Sequence, residues 1–197
     1  MTDIINALAG IPAGSRLDLV RDARPQAREN AQRSFELLFE PEEPGSFTLA
    51  ERYAVAAYTA GLHASNSPAL AFYTELAEDE AGTPLAEAVA ELAARDRRPG
   101  PYGHYREPRH QHESVPGPSV DYRQRPEPVS ERLAAALEHA HLLSLHPRDA
   151  RPEHLRRLEE AGWSADDIVT LSQLISFLAF QIRVVDGLLA LQEGASA

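Results

Sequence analysis

The sequence predicts an all-α protein, and three observations carry that expectation. Capping residues stand directly before apolar runs, at Thr48, Ser67, Ser130 and Ser164. Apolar residues recur at three- and four-residue intervals, most clearly from Ile168 to Leu189. No run of alternating apolar and polar residues reads as a strand.

Taken in order, residues 1–25 read as a short helix, a turn punctuated by Gly10, Pro12 and Gly14, and a second short segment. Pro25 suits the first turn of a helix reaching Phe39, which Pro41, Pro44 and Gly45 bring to an end. Thr48-Leu49-Ala50-Glu51 is a capping box, with a hydroxyl at the cap and a carboxylate three residues later. The helix it opens carries Tyr53, Val55, Tyr58 and Leu62 among Ala and Gly. Such small residues let other helices approach closely, so this helix is expected to be buried. Ser67-Pro68 starts a helix through Leu70, Phe72, Tyr73 and Leu76, and Pro84 starts another through Leu85, Val89 and Leu92.

Residues 97–128 break the pattern. Proline at 99, 101, 108, 116, 118, 126 and 128 excludes a helix, and aliphatic residues are too few for paired strands. Helical patterning resumes at Ser130, with Leu133, Ala136, Leu137, Ala140 and Leu143 on one face. Pro152 opens a short helix stopped at Gly162. Ser164 then caps a long final helix with an apolar stripe at Ile168, Leu171, Ile175, Leu178, Ile182, Val185 and Leu189. Leu174, Phe177, Phe180, Val184, Leu188 and Leu191 form a second stripe. A helix apolar nearly all round is either central or shared with another subunit. Together these elements read as one domain over 1–197: helices to residue 96, a Pro- and His-rich connector over 97–128, and helices from 129. Thr48-x-x-Glu51 and Ser164-x-x-Asp167 each open a long apolar run after an amphipathic helix, which reads as a duplicated helical hairpin.

Composition excludes several classes of function. The net charge of -11 opposes binding to nucleic acid or to an anionic membrane surface. All 19 basic residues are Arg, so no lysine is present to form a Schiff base. There is no Cys, which removes disulfides, thiolate ligands and thiol catalysis together. The uncharged stretch from Ile168 to Ile182 is shorter than the ~20 residues of a membrane span. The N-terminus has neither a basic region nor a long apolar one. A cytoplasmic chain with no cofactor is the expectation. Its expected partners are copies of itself, as a dimer or larger homo-oligomer joined through the final helix or the Thr48 helix, and a small-molecule ligand.

The helix Leu49-Ala50-Glu51-Arg52-Tyr53-Ala54-Val55-Ala56-Ala57 resembles the active-site helix of the alkylhydroperoxidase D / carboxymuconolactone decarboxylase superfamily. Leu158-Glu159-Glu160-Ala161-Gly162-Trp163-Ser164, leading into the final helix, is similar to the ending of its peroxidase-related members. The opening residues, Asp3-Ile4-Ile5-Asn6 with Ala9-Gly10-Ile11-Pro12, are similar to one uncharacterised subgroup. The resemblance implies an alkylhydroperoxidase D-like helical bundle, with Glu51 at the proton-relay position. It also exposes a departure. The family's Cys-x-x-Cys pair falls at His63 and Asn66 here, or at Ser65 with a small shift, and its His falls at Leu70. A thiol peroxidase cycle has no nucleophile in this chain. The resemblance therefore implies a non-peroxidatic scaffold or small-molecule-binding subunit, or a thiol-independent acid–base enzyme of the carboxymuconolactone decarboxylase type.

Each candidate residue has a chemical reading and a structural one. Glu51 is a general acid–base or the second half of a capping box. His63 is a base or ligand, or a helix C-terminal imidazole. His104, His110 and His112 on the connector form a metal- or ligand-binding cluster, or a solvated loop. Asn66, Gln173, Gln181 and Arg183 line a pocket or, on the final helix, fix its register. If the site is real, Glu51 faces an interior closed by the last helix, near Gln173, Gln181 or Arg183, with His63 marking its far end.

Overall fold

The structure is a computed structural model that describes residues 3–63 and 67–195. It is all-α, and among the described residues the only β feature is an isolated bridge between Gly103 and Val115. In chain order the helices are α1 (Ile4–Leu8), α2 (Arg16–Asp22), α3 (Pro25–Phe39), α4 (Leu49–His63), α5 (Pro68–Ala81), α6 (Thr83–Asp96), α7 (Glu131–Leu145), α8 (Pro152–Glu160) and α9 (Ala165–Ala195).

The caps act where the sequence puts them. Ser67 Oγ accepts from Ala69 N, Ser130 Oγ from Leu133 N, and Ser164 Oγ from Asp167 N. At α4, Thr48 Oγ1 accepts from Glu51 N at 3.2 Å while Glu51 Oε2 accepts from Thr48 N at 3.1 Å, the reciprocal pair of a capping box.

Helix α4 is the centre of the fold, with α5, α6, α7 and α9 packed around it. It is buried at every position from Arg52 to Leu62. Small side chains permit this crowding: a Cβ placed on Gly61 would lie 2.7 Å from the Ala93 Cβ on α6.

Burial extends to a charge. Arg52 is 5% exposed and donates to the carbonyls of Phe47, Leu38 and Pro44, with its guanidinium 4.5 Å from the Phe47 ring centroid. It satisfies backbone acceptors in the α3–α4 turn that helix geometry leaves open.

The final helix carries the buried stripe expected of it, from Ile168 through Val185. It packs against α1, α3, α4, α7 and α8. By length and composition alone it also passes as a membrane-crossing helix. The shorter estimate from sequence ended at Arg183, but the helix continues past it with few charges.

The connector is held to its own chain. Tyr102 N donates to Leu145 O at the end of α7, and the Tyr102 hydroxyl donates to Pro118 O. Tyr102 and Tyr122 are both buried. Between them lies one 3-10 helical turn, Pro108–Glu113. Proline at the first position of a turn leaves no required donor missing, so this short helix survives where a long one could not.

Gly61→Ala should destabilise the protein by ~1–3 kcal/mol through overpacking, despite the better helix propensity of alanine. Ala93→Gly in the same chain should recover part of the loss. Urea unfolding midpoints followed by circular dichroism measure both.

Candidate functional site

The sequence candidates separate into three places. At the N-terminal end of α4, Glu51 is used by the capping box and by Arg132 of α7, whose Nε donates to Glu51 Oε1 at 2.9 Å. The same guanidinium donates to Gly162 O and Ser46 O and lies 3.5 Å from Asp167 of α9. It also sits 4.0 Å over the Trp163 ring. Burial would raise the Asp167 carboxyl, but hydrogen bonds involving Ser46, Ser164 and Arg132, with the Arg132 charge, outweigh it and hold it below the ordinary value. Arg132 thus ties together the caps of α4 and α9.

At the other end of α4, His63 lies in the field of Arg183. Burial, and then the Arg183 charge, lowers the His63 imidazole to about 4. Helix α9 therefore runs alongside α4 in the same direction, with Asp167 at the Glu51 end and Arg183 at the His63 end. The sixteen residues between Asp167 and Arg183 span roughly 24 Å of helix rise. Glu51 and Arg183 are thus not brought together.

Gln181 is fully buried and accepts from the Tyr73 hydroxyl at 2.6 Å, while Gln173 is exposed on an apolar groove beside Leu37 and Val169. The expected interior shared by Glu51 and these side chains does not form. The capping box and Arg132 occupy the carboxylate, and α9 directs the three polar residues to different surroundings. Asn66 and Ser65 lie outside the described residues.

The connector histidines also separate. His104 Nδ1 is 3.3 Å from Asp149 Oδ1, whereas His110 Nδ1 is 2.8 Å from Glu113 Oε1 and His112 Nε2 is 3.8 Å from the same carboxylate. Among the described residues no three His, Cys, Asp or Glu side chains are placed to hold a metal ion.

A group that the sequence reading passed over does converge. Asp149 Oδ2 lies 3.5 Å from His146 Nδ1, and His146 Nε2 lies 3.1 Å from His141 Nδ1. This chain leads from exposed His104 through Asp149 to His146, 5% exposed, and His141, fully buried. The Tyr102 ring stacks on His146 at 5.1 Å between centroids.

The geometry orders the protons. An ionised Asp149 favours a proton on His146 Nδ1, so His146 Nε2 accepts from His141 Nδ1–H. His141 Nε2 is then a bare acceptor, buried and without a hydrogen-bond partner among the described residues. Beside this chain, Tyr122 donates to Asp96 at 2.5 Å and accepts from Tyr58 at 2.6 Å. Burial is the main cause of the raised Tyr58 and Tyr122 values.

A third histidine follows the same logic. The Ser172 hydroxyl donates to Ile168 O, so Ser172 Oγ is left to accept from His139 Nε2 at 3.0 Å. His139 Nδ1 is a second bare, buried acceptor. His139, His146, His154, Glu138 and Arg157 surround a cavity of about 60 Å³. That is room for about two water molecules.

The missed residues did leave a signal. His139 and His141 interrupt a helix built mainly of Ala and Leu, where an imidazole has to be buried and needs a partner. In comparison with known proteins, no family model and no curated protein matches the chain.

Burial lowers His139 and His141 to about 4 as well. A histidine that is neutral when folded but titrates near 6.5 when unfolded favours the folded state fully above pH 6.5. That contribution is lost as pH falls from 6.5 toward 4. Urea midpoints should therefore drop across this window. His139→Gln and His141→Gln should each flatten the pH dependence, and an unchanged slope in both variants would show that these imidazoles are not held neutral.

Proposed function

We propose that this chain is a peroxidase-related protein of the alkylhydroperoxidase D-like kind that has lost the redox dithiol and serves as a non-peroxidatic scaffold or small-molecule-binding subunit. The observation that carries this reading is the state of Glu51. The residue at the proton-relay position is bonded to the Thr48 backbone and hydroxyl and to Arg132. These are structural duties, and they tie α4 to α7 and α9. The absence of Cys supports the same reading, because reduction of a hydroperoxide by this route needs a thiolate and a second thiol to close the disulfide.

A thiol-independent acid–base enzyme is the second reading, and the Asp149–His146–His141 chain favours it. A carboxylate that orients one imidazole, which in turn orients another, is an arrangement used to present a base. In that reading the chemistry belongs to α7 and the turn that follows it, rather than to Glu51.

Three measurements test these readings. With an organic hydroperoxide and a dithiol donor, turnover should be negligible; a rate within about tenfold of a dithiol-bearing relative would overturn the assignment. Arg132→Ala should cost about 2 kcal/mol or more, since it removes charge-assisted hydrogen bonds to Glu51, Gly162 and Ser46 and an ion pair with Asp167. Decarboxylation of an unsaturated lactone acid, followed by carbon dioxide release and lost in His146→Gln but kept in Glu51→Gln, would establish the second reading over the first.

A further inference from the structure

Between Asp166 and Arg183, the exposed residues of α9 are Asp166, Val169, Gln173, Ser176, Phe180 and Arg183, and every other position is buried or half-buried. Their spacing alternates three and four. Side chains spaced in that way form one straight seam, the pattern by which a helix meets another helix.

The seam is also a palindrome in chemical character. Its midpoint falls between Leu174 and Ile175. Gln173 and Ser176 are equidistant from it, as are Val169 and Phe180, and as are Asp166 and Arg183. A twofold axis through that midpoint would set polar against polar, apolar against apolar, and carboxylate against guanidinium. Asp166 and Arg183 have no ion-pair partner among the described residues, and Arg183 donates only to the Ala179 carbonyl of its own helix.

We infer that two copies of this chain pair through α9, antiparallel about this axis, with Asp166 of each facing Arg183 of the other. The inference does not rest on the functional reading above. A parallel pair would set Asp166 against Asp166 and Arg183 against Arg183, so charge selects the antiparallel arrangement. Twofold pairing requires one surface to complement itself, which this palindrome does and which an unrelated partner would not require. A lipid surface fits less well, because the seam presents a carboxylate, a guanidinium and a carboxamide to the hydrocarbon.

The surroundings of the seam agree. It is about 25 Å long, and a single helix of that length covers well under the ~800 Å² per partner of a standard interface. Leu37 of α3, 61% exposed, and Leu155 of α8, 45% exposed, line the groove that holds Val169, and its volume is about 740 Å³. Val20 of α2 and Leu191 stand exposed beyond the Phe180 end. These side chains supply the remaining apolar contact.

Light scattering at micromolar concentration should give at least twice the 21.6 kDa chain mass. Arg183→Asp alone, or Asp166→Arg alone, should weaken the dissociation constant by about tenfold or more, because each places like charges together twice. The combined Asp166→Arg, Arg183→Asp variant should restore it. Circular dichroism should show all three folded, since both residues are exposed. Because the chain has no Cys, introduced ones report direction: Val169→Cys mixed with Phe180→Cys should give the mixed disulfide, and Val169→Cys alone should not cross-link to itself. A monomeric mass, an assembly indifferent to both charge reversals, or a Val169–Val169 cross-link would overturn the inference.

Discussion

The burial of α4 from Arg52 to Leu62 is the constraint from which the rest of the fold follows. A helix surrounded by four others still leaves amides and carbonyls open at its ends, and each needs a partner. The chain meets this requirement with charged side chains, one of them buried. Arg52 closes the carbonyls of the turn leading into α4, and Glu51 with Thr48 closes its first amides. Arg132 then binds Glu51 and the entry to α9, so the two longest apolar runs begin at one shared fixture. The residue most suggestive of chemistry in the sequence is thus the one most occupied by structure.

The same density explains the histidines of α7. An imidazole is small enough to stand in an Ala-rich layer and polar enough to require a partner there. Ser172 of α9 partners one nitrogen of His139, His146 partners one of His141, and Asp149 and His141 partner both of His146, while the second nitrogens of His139 and His141 stay bare. Protonation would put charge where nothing can solvate it. The rings are therefore held neutral by their surroundings, and the order of donors and acceptors is fixed from Asp149 inward.

Much of this was legible in the sequence, and what was not has a physical reason. The caps at Ser67, Ser130, Ser164 and Thr48 could be read because capping is local, set by residues three apart. The buried face of α9 could be read because periodicity survives tertiary packing. Glu51 was ambiguous because a capping box and a catalytic carboxylate ask for the same residue in the same place, and only the long-range contact to Arg132, eighty-one positions away, favours the structural use. The Asp149–His146–His141 chain was not legible because its geometry depends on how the end of α7 turns back under Tyr102. The exposed seam of α9 lay hidden within two apolar stripes. Phe180 falls in the second stripe with Leu174 and Phe177, yet it is 45% exposed while they are buried, a distinction made by the positions of α2 and α3.

The connector is pinned twice, by Tyr102 soon after α6 and by Tyr122 shortly before α7. Gly117 passes so close to Tyr102 that a Cβ there would lie 2.2 Å from its ring. The stretch between these anchors includes the exposed turn from Pro108 to Glu113. Each half of the protein keeps its own tether on either side of that turn. New chain ends opened there would leave both tyrosines seated, and a foreign peptide inserted there would hang outside the packed layers. The turn is thus a natural graft point, where a tag or sensor module can be spliced in while the helices beneath retain their shape.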